Sequence, residues 1–102
     1  MYIVLTTAPN IEEAETLSQK IVAKKLAACV QILPQMKSFY FWEGAIQTNS
    51  EHLLLIKTLP EKFDELEKFI RAHHSYETPE IIALSAEAVS ENYLDWMKDY
   101  LK

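Results

Sequence analysis

The sequence is 102 residues long, 49% hydrophobic and 11% aromatic, with 10 Lys plus Arg against 15 Asp plus Glu; that length predicts a single domain over residues 1–102 whose core is too small to hide every aromatic. A net charge of −5, a single arginine (Arg71) and a single glycine (Gly44) exclude a nucleic-acid binder built on clustered cations and a Gly-rich phosphate loop. No apolar run approaches the roughly 20 residues that cross a bilayer, and one cysteine with no charged-then-apolar leader predicts a reducing, cytoplasmic setting.

Tyr2-Ile3-Val4-Leu5 is a short apolar run with β-branched members, ended by Thr6, Thr7 and Pro9-Asn10, and reads as a strand buried on both faces. Asn10 then stands as a helix N-cap with Glu13 at capping-box spacing, and Ile11, Ala14, Leu17, Ile21 and Val22 form one helical stripe. Lys24 and Lys25 suit the negative end of that helix's dipole. From Cys29 to Leu33 the pattern turns to a strand, interrupted at Pro34 and resumed in the aromatic block Phe39-Tyr40-Phe41-Trp42. Proline lacks the ladder donor, so Pro34 is expected at a bulge or where no partner strand runs. Gly44 supplies the turn into a strand that runs through Ile46 to the Leu53-Leu54-Leu55-Ile56 run. Thr58 to Glu61 repeats the capping-box spacing ahead of a helix marked by Phe63, Leu66, Phe69 and Ile70, ending near His73 and His74. Ile81 to Leu84 is the last strand, and Ser90 caps a final helix with apolar columns at Tyr93, Met97, Tyr100 and at Leu94, Leu101, flanked by Trp96.

The order β-α-β-β-α-β plus a terminal helix is an α+β, ferredoxin-like arrangement with an antiparallel sheet, central first and third strands, and both main helices on one sheet face. The Leu53–Ile56 run is apolar on both faces, so its far face requires a second cover, for which a neighbouring subunit is the economical candidate. The long second and third strands, carrying four consecutive aromatics, are expected to project and pair with other chains.

Five blocks together span nearly the whole chain: Leu26-Ala27-Ala28-Cys29-Val30; Ser38 to Gly44; Glu51 with Leu53 to Thr58; His74-Ser75-Tyr76-Glu77-Thr78-Pro79-Glu80-Ile81-Ile82; and Tyr93-Leu94-Asp95-Trp96. In these the sequence resembles the CutA family of divalent-cation tolerance proteins. It departs from the family pattern at Gln31, Ser75, Ser85 and Val89, all at turns or strand ends. The resemblance implies a ferredoxin-like protomer in a homotrimer joined by inter-subunit strand pairing, similar in architecture to the PII signalling proteins, and a link to tolerance of copper and other divalent metals. It implies no catalytic activity and no organic cofactor.

Cys29 is the one side chain with thiolate potential and hence the soft ligand expected for copper or zinc, although a lone cysteine in an apolar strand also reads as a small buried hydrophobe. His73 and His74 point about 100 degrees apart on a helix and do not chelate one ion together. His74 opens the motif that continues through Tyr76, Glu77 and Pro79, and is the second metal candidate. His52, beside Glu51 on a strand, reads as surface. The block Phe39 to Trp42 alternates faces, so Tyr40 and Trp42 share one side. With Lys57, Tyr76, Glu77 and Trp96 they make the candidate ligand-binding set. The leading expectation is a non-enzymatic homotrimer that binds or responds to divalent metal. The alternative is a PII-like sensor holding a small anion in an inter-subunit cleft near Lys57, His74 and Trp42. An enzyme of acyl phosphates would want an anion-binding arginine loop, and Arg71 lies within a helix.

Overall fold

The opening run becomes β1 (Tyr2–Ala8), which in the computed structural model, describing all of residues 1–102, carries on past Leu5 through both threonines. There follow α1 (Ile11–Ala23), β2 (Cys29–Ile32), β3 (Met36–Trp42), β4 (Ala45–Thr58), a short 3-10 turn at Pro60–Lys62, α2 (Phe63–His73), β5 (Ile82–Ser85) and α3 (Glu91–Leu101). The result is a small α+β protein with three α-helices and an antiparallel sheet in the order β2-β4-β1-β5, in which β3 pairs with β4 alone. β1 and β4, the two densest apolar runs, occupy the middle.

Strand periodicity decides the two faces. Val4 and Ala8 of β1 and Leu54 and Ile56 of β4 point to one side, where they are buried against Ala14, Leu17 and Ile21 of α1 and Leu66, Phe69 and Ile70 of α2. Ile3, Leu5, Leu53 and Leu55 point to the other side and stay only partly buried. A second apolar cluster forms where Met97 and Leu101 of α3 meet Ala28 and Leu59.

The ends of α1 show how local chemistry sets the element. The Asn10 side chain accepts from the Glu13 N–H at 2.8 Å, as the capping spacing predicts. At the other end Lys25 takes a φ of 58°, Leu26 N–H donates to the Ile21 carbonyl and Lys25 N–H to the Val22 carbonyl. That is the Schellman closure, made here without glycine. The start of α2 differs from expectation. Thr58 caps nothing; it is fully buried and its hydroxyl donates to the Leu26 carbonyl at 2.7 Å, because strand β4 runs on to Thr58 and leaves its side chain facing the core. Pro60 opens the 3-10 turn in its place. Ser90 holds the N-cap position of α3 through its backbone, with no side-chain capping bond.

β2 and β3 are one strand interrupted at Pro34. The pairing runs Ile32 with Leu54 before the interruption and Met36 with Glu51 after it, and Leu33 N–H still reaches the Leu53 carbonyl. Pro34 and Gln35 therefore oppose the single residue His52, which is a β-bulge. His52, read from sequence as a surface residue, is part-buried there with Nδ1 2.9 Å from the Leu33 carbonyl oxygen. Beyond the bulge β3 and the first half of β4 form a two-stranded ribbon that no third strand joins, and it contributes to the long dimension of a molecule measuring 45 × 25 × 23 Å.

Candidate ligand cleft

The segment after α2 is tied down residue by residue. The His74 ring is wholly buried. Its Nε2 faces the Thr7 carbonyl oxygen, which only accepts, so Nε2 carries the proton; its Nδ1 receives the Tyr76 N–H at 2.9 Å, so Nδ1 is unprotonated. Ser75 N–H donates to Glu13 Oε2 at 3.2 Å, and that carboxylate stands 3.6 Å from His74 Nδ1. Glu13 thus serves the loop instead of reaching back to complete the capping box of α1. The loop in turn delivers the Tyr76 hydroxyl to Glu51 Oε2 at 2.8 Å. Burial first, then this hydrogen bond and the Glu51 charge, push the Tyr76 phenol well above the usual tyrosine range.

Glu51 is only 7% exposed. It sits opposite Met36, two positions along from Asn49 opposite Ser38, and two more from Gln47 opposite Tyr40, so Glu51, Ser38, Tyr40 and Trp42 share the sheet face away from α1 and α2. Between that face and the loop opens a cleft of about 710 Å³, walled by Tyr40, Trp42, Tyr76 and Phe39 and carrying the carboxylates of Glu51, Glu77 and Glu80. Asn49 donates to the Tyr40 hydroxyl and Gln47 to the Trp42 carbonyl, which steadies the aromatic wall.

Tyr40, Trp42, Tyr76 and Glu77 of the sequence-derived ligand set are therefore brought together. Lys57 and Trp96 are not. The Lys57 ammonium lies 5.5 Å from the centre of the Tyr93 ring, and Tyr93 packs 5.6 Å from Trp96, so these two belong to a separate row between β4 and α3. Lys57 pairs with Ile3 whereas His74 reaches Thr7, four residues and about 13 Å along β1. The anion cleft expected around Lys57, His74 and Trp42 does not exist within the protomer, and no cationic side chain lines the cleft that does.

Cys29 and His74 are likewise apart, since Cys29 pairs with Lys57. Both ring nitrogens of His74 are engaged, which leaves no lone pair for an ion in this arrangement. His73 stacks on Phe69 with Nδ1 against the Phe69 carbonyl. No group of three His, Cys, Asp or Glu side chains comes together as a metal requires, so the residues of one protomer do not by themselves make a metal centre. Sequence reasoning passed over Glu51 and Glu13 as site residues. The available signal was Glu51 itself, a carboxylate heading an otherwise apolar central strand.

Comparison with known proteins places this architecture. The family model described as CutA1 divalent ion tolerance protein matches residues 2–100. The divalent-cation tolerance protein CutA of Archaeoglobus fulgidus is 45% identical over 93 residues, covering 91% of this chain and 90% of the relative. The rice protein CutA 1, chloroplastic, is 43% identical over 97 residues, 95% of this chain and 55% of the relative; the chain spans about half the length of the plant relatives it matches. The solved structure of the periplasmic divalent cation tolerance protein CutA from A. fulgidus superposes with a TM-score of 0.96 at 41% identity, covering 100% of both chains. Those names overturn the cytoplasmic setting expected from cysteine count and chain start, for relatives of this sequence are described as periplasmic and chloroplastic. A single free thiol is compatible with any of these compartments. With a family match over nearly its whole length and relatives above 40% identity, the chain belongs to the CutA1 divalent ion tolerance family.

Proposed function

We propose that the chain acts as a non-enzymatic divalent-cation tolerance protein whose working form is a ferredoxin-like homotrimer that binds copper or another divalent metal. The observation that carries this reading is the β3-β4 ribbon. Both of its edges lack a strand partner, and Phe39, Phe41 and Ile46 on one of its faces are 70%, 72% and 77% exposed. An isolated two-stranded ribbon is marginal in water, and open edges flanked by aromatics favour pairing with other chains. The partly buried row Ile3, Leu5, Leu53 and Leu55 supports the same cover for the helix-free face. Central β1 and β4, with α1 and α2 together on one side, support the ferredoxin-like description.

Metal enters this reading through Cys29, partly buried at the head of β2. One protomer offers too few donors around it, so the metal is shared between copies, with thiolate chemistry suited to copper(I) or zinc. Sedimentation equilibrium is expected to give a trimer; a stable monomer of 11.8 kDa overturns the assembly. Calorimetric titration with copper is expected to lose its main binding event in Cys29→Ser. Identical isotherms for the two proteins remove Cys29 from the site.

A further inference from the structure

The buried ring of His74 has two partners that compete for one nitrogen. In the neutral tautomer Nδ1 takes the Tyr76 N–H at 2.9 Å, while Nε2–H donates to the Thr7 carbonyl of β1. The Glu13 carboxylate of α1 stands 3.6 Å from the same Nδ1 and already accepts the Ser75 N–H. Nδ1 serves one of the two at a time: with a lone pair it accepts from Tyr76, with a proton it donates to Glu13. Two donors do not face each other, so protonation of the ring breaks the Tyr76 bond and puts a charge-assisted bond to Glu13 in its place. Glu13 is available for that exchange, because in ordinary surroundings a glutamate keeps its charge down to about pH 4.3 and a histidine gains its proton near about pH 6.5. The remaining groups around the ring do not replace Glu13. From α2, His73 turns its Nδ1 to the Phe69 carbonyl and stacks on that ring. From α1, Glu12 and Lys20 line the groove beside His74 and carry opposite charges. The Tyr76 ring, centred 4.8 Å from that of His74, turns its hydroxyl to Glu51 of β4.

We infer that His74 is an acid-sensitive latch on the Ser75–Glu80 segment: neutral, it holds the Tyr76 backbone, and protonated, it turns to Glu13 and lets Tyr76 go. Ser75 stays tied to Glu13, so the release starts at Tyr76 and carries to Glu51, whose donor is the Tyr76 hydroxyl. The bistable element is the pair of arrangements open to one hydrogen bond, and the proton selects between them. All of its parts come from β1, α1 and the loop of a single chain, so it needs neither open space nor a neighbouring copy, and it is independent of Cys29.

The chain has three histidines and five tyrosines, so selective nitrogen-15 labelling of these two residue types lets NMR follow the His74 ring and the Tyr76 amide in the full-length protein as it is acidified from about pH 8. The His74 Nδ1 resonance is expected to change from the unprotonated to the protonated position, and the Tyr76 amide proton to move upfield with the same midpoint as its hydrogen bond is lost. In Glu13→Gln, whose side-chain carbonyl still accepts from Ser75, both changes are expected together at a lower pH than in wild type, because the imidazolium has lost its counter-charge. Circular dichroism is expected to stay constant through the transition. A Tyr76 amide that stays in place while the ring protonates overturns the latch, as does a ring that stays neutral until the carboxylates titrate. Equal midpoints in wild type and Glu13→Gln overturn it too, and so does loss of helix at the same midpoint, which would mean that the whole fold opens.

Discussion

Tyr76 links two buried polar groups, the Glu51 carboxylate and the His74 ring. Its hydroxyl is the sole protein donor to Glu51, and its backbone N–H occupies the lone pair of His74. The phenol is held neutral in the folded chain at pH values where a tyrosine in the unfolded chain ionises, about pH 10. Above that point the native state retains a proton that the unfolded state has lost, so stability falls as pH rises; below it the contribution is fully present. Tyr76→Phe is expected to flatten that alkaline decline. At neutral pH the same change leaves the buried Glu51 carboxylate without its donor and costs about 1–3 kcal/mol. Denaturant titrations of both proteins at neutral and alkaline pH, at one protein concentration, check the two effects; parallel pH profiles for wild type and variant would sink the assignment.

At the scale of the element, the ribbon's tip is the clearest case of sequence dictating geometry. Trp42 pairs with Ala45, and the two residues between them, Glu43 and Gly44, take φ of 51° and 80°, the signs of a type I′ turn matched to strand twist. Gly44 meets nothing within 4 Å where a Cβ would stand, so Gly44→Ala suffers from its backbone conformation alone, at roughly 1 kcal/mol. Glu43→Asn, which tolerates the left-handed region better, is expected to raise stability by a fraction of that. Opposite shifts of the thermal midpoint confirm the turn; shifts of the same sign refute it. Gly44 and Pro34 were both legible in the sequence, because each residue has few backbone options. The end of α1 was not. Nothing marks Lys25 as a left-handed closing residue until Tyr100 of α3 is seen under its ammonium, 5.3 Å from the ring centre. The site divides the same way. The faces of Tyr40 and Trp42 follow from strand alternation, and their meeting with Tyr76 and Glu77 accompanied the motif. The separation of Lys57 depended on the pairing of β4 with β1, and the role of Glu51 on a β3 register that the bulge shifts by one residue; long-range register is not written in local pattern.

For the whole molecule the question is what becomes of apolar surface that one copy leaves in water. Phe41 and Ile46 are direct cross-strand partners on the ribbon and stand on the face opposite Tyr40 and Trp42. Burying each such side chain is worth about 1.5–3 kcal/mol, and a closed symmetric assembly repeats the gain at every equivalent interface. The double variant Phe41→Ser, Ile46→Ser removes that gain while leaving the helix-side core of Val4, Leu54, Ile56 and Ile70 untouched. Sedimentation equilibrium is expected to show the variant shifted from trimer toward monomer, with circular dichroism reporting the same helices in both proteins. A variant that keeps the wild-type mass would place the interface elsewhere, on the row of Ile3, Leu5, Leu53 and Leu55.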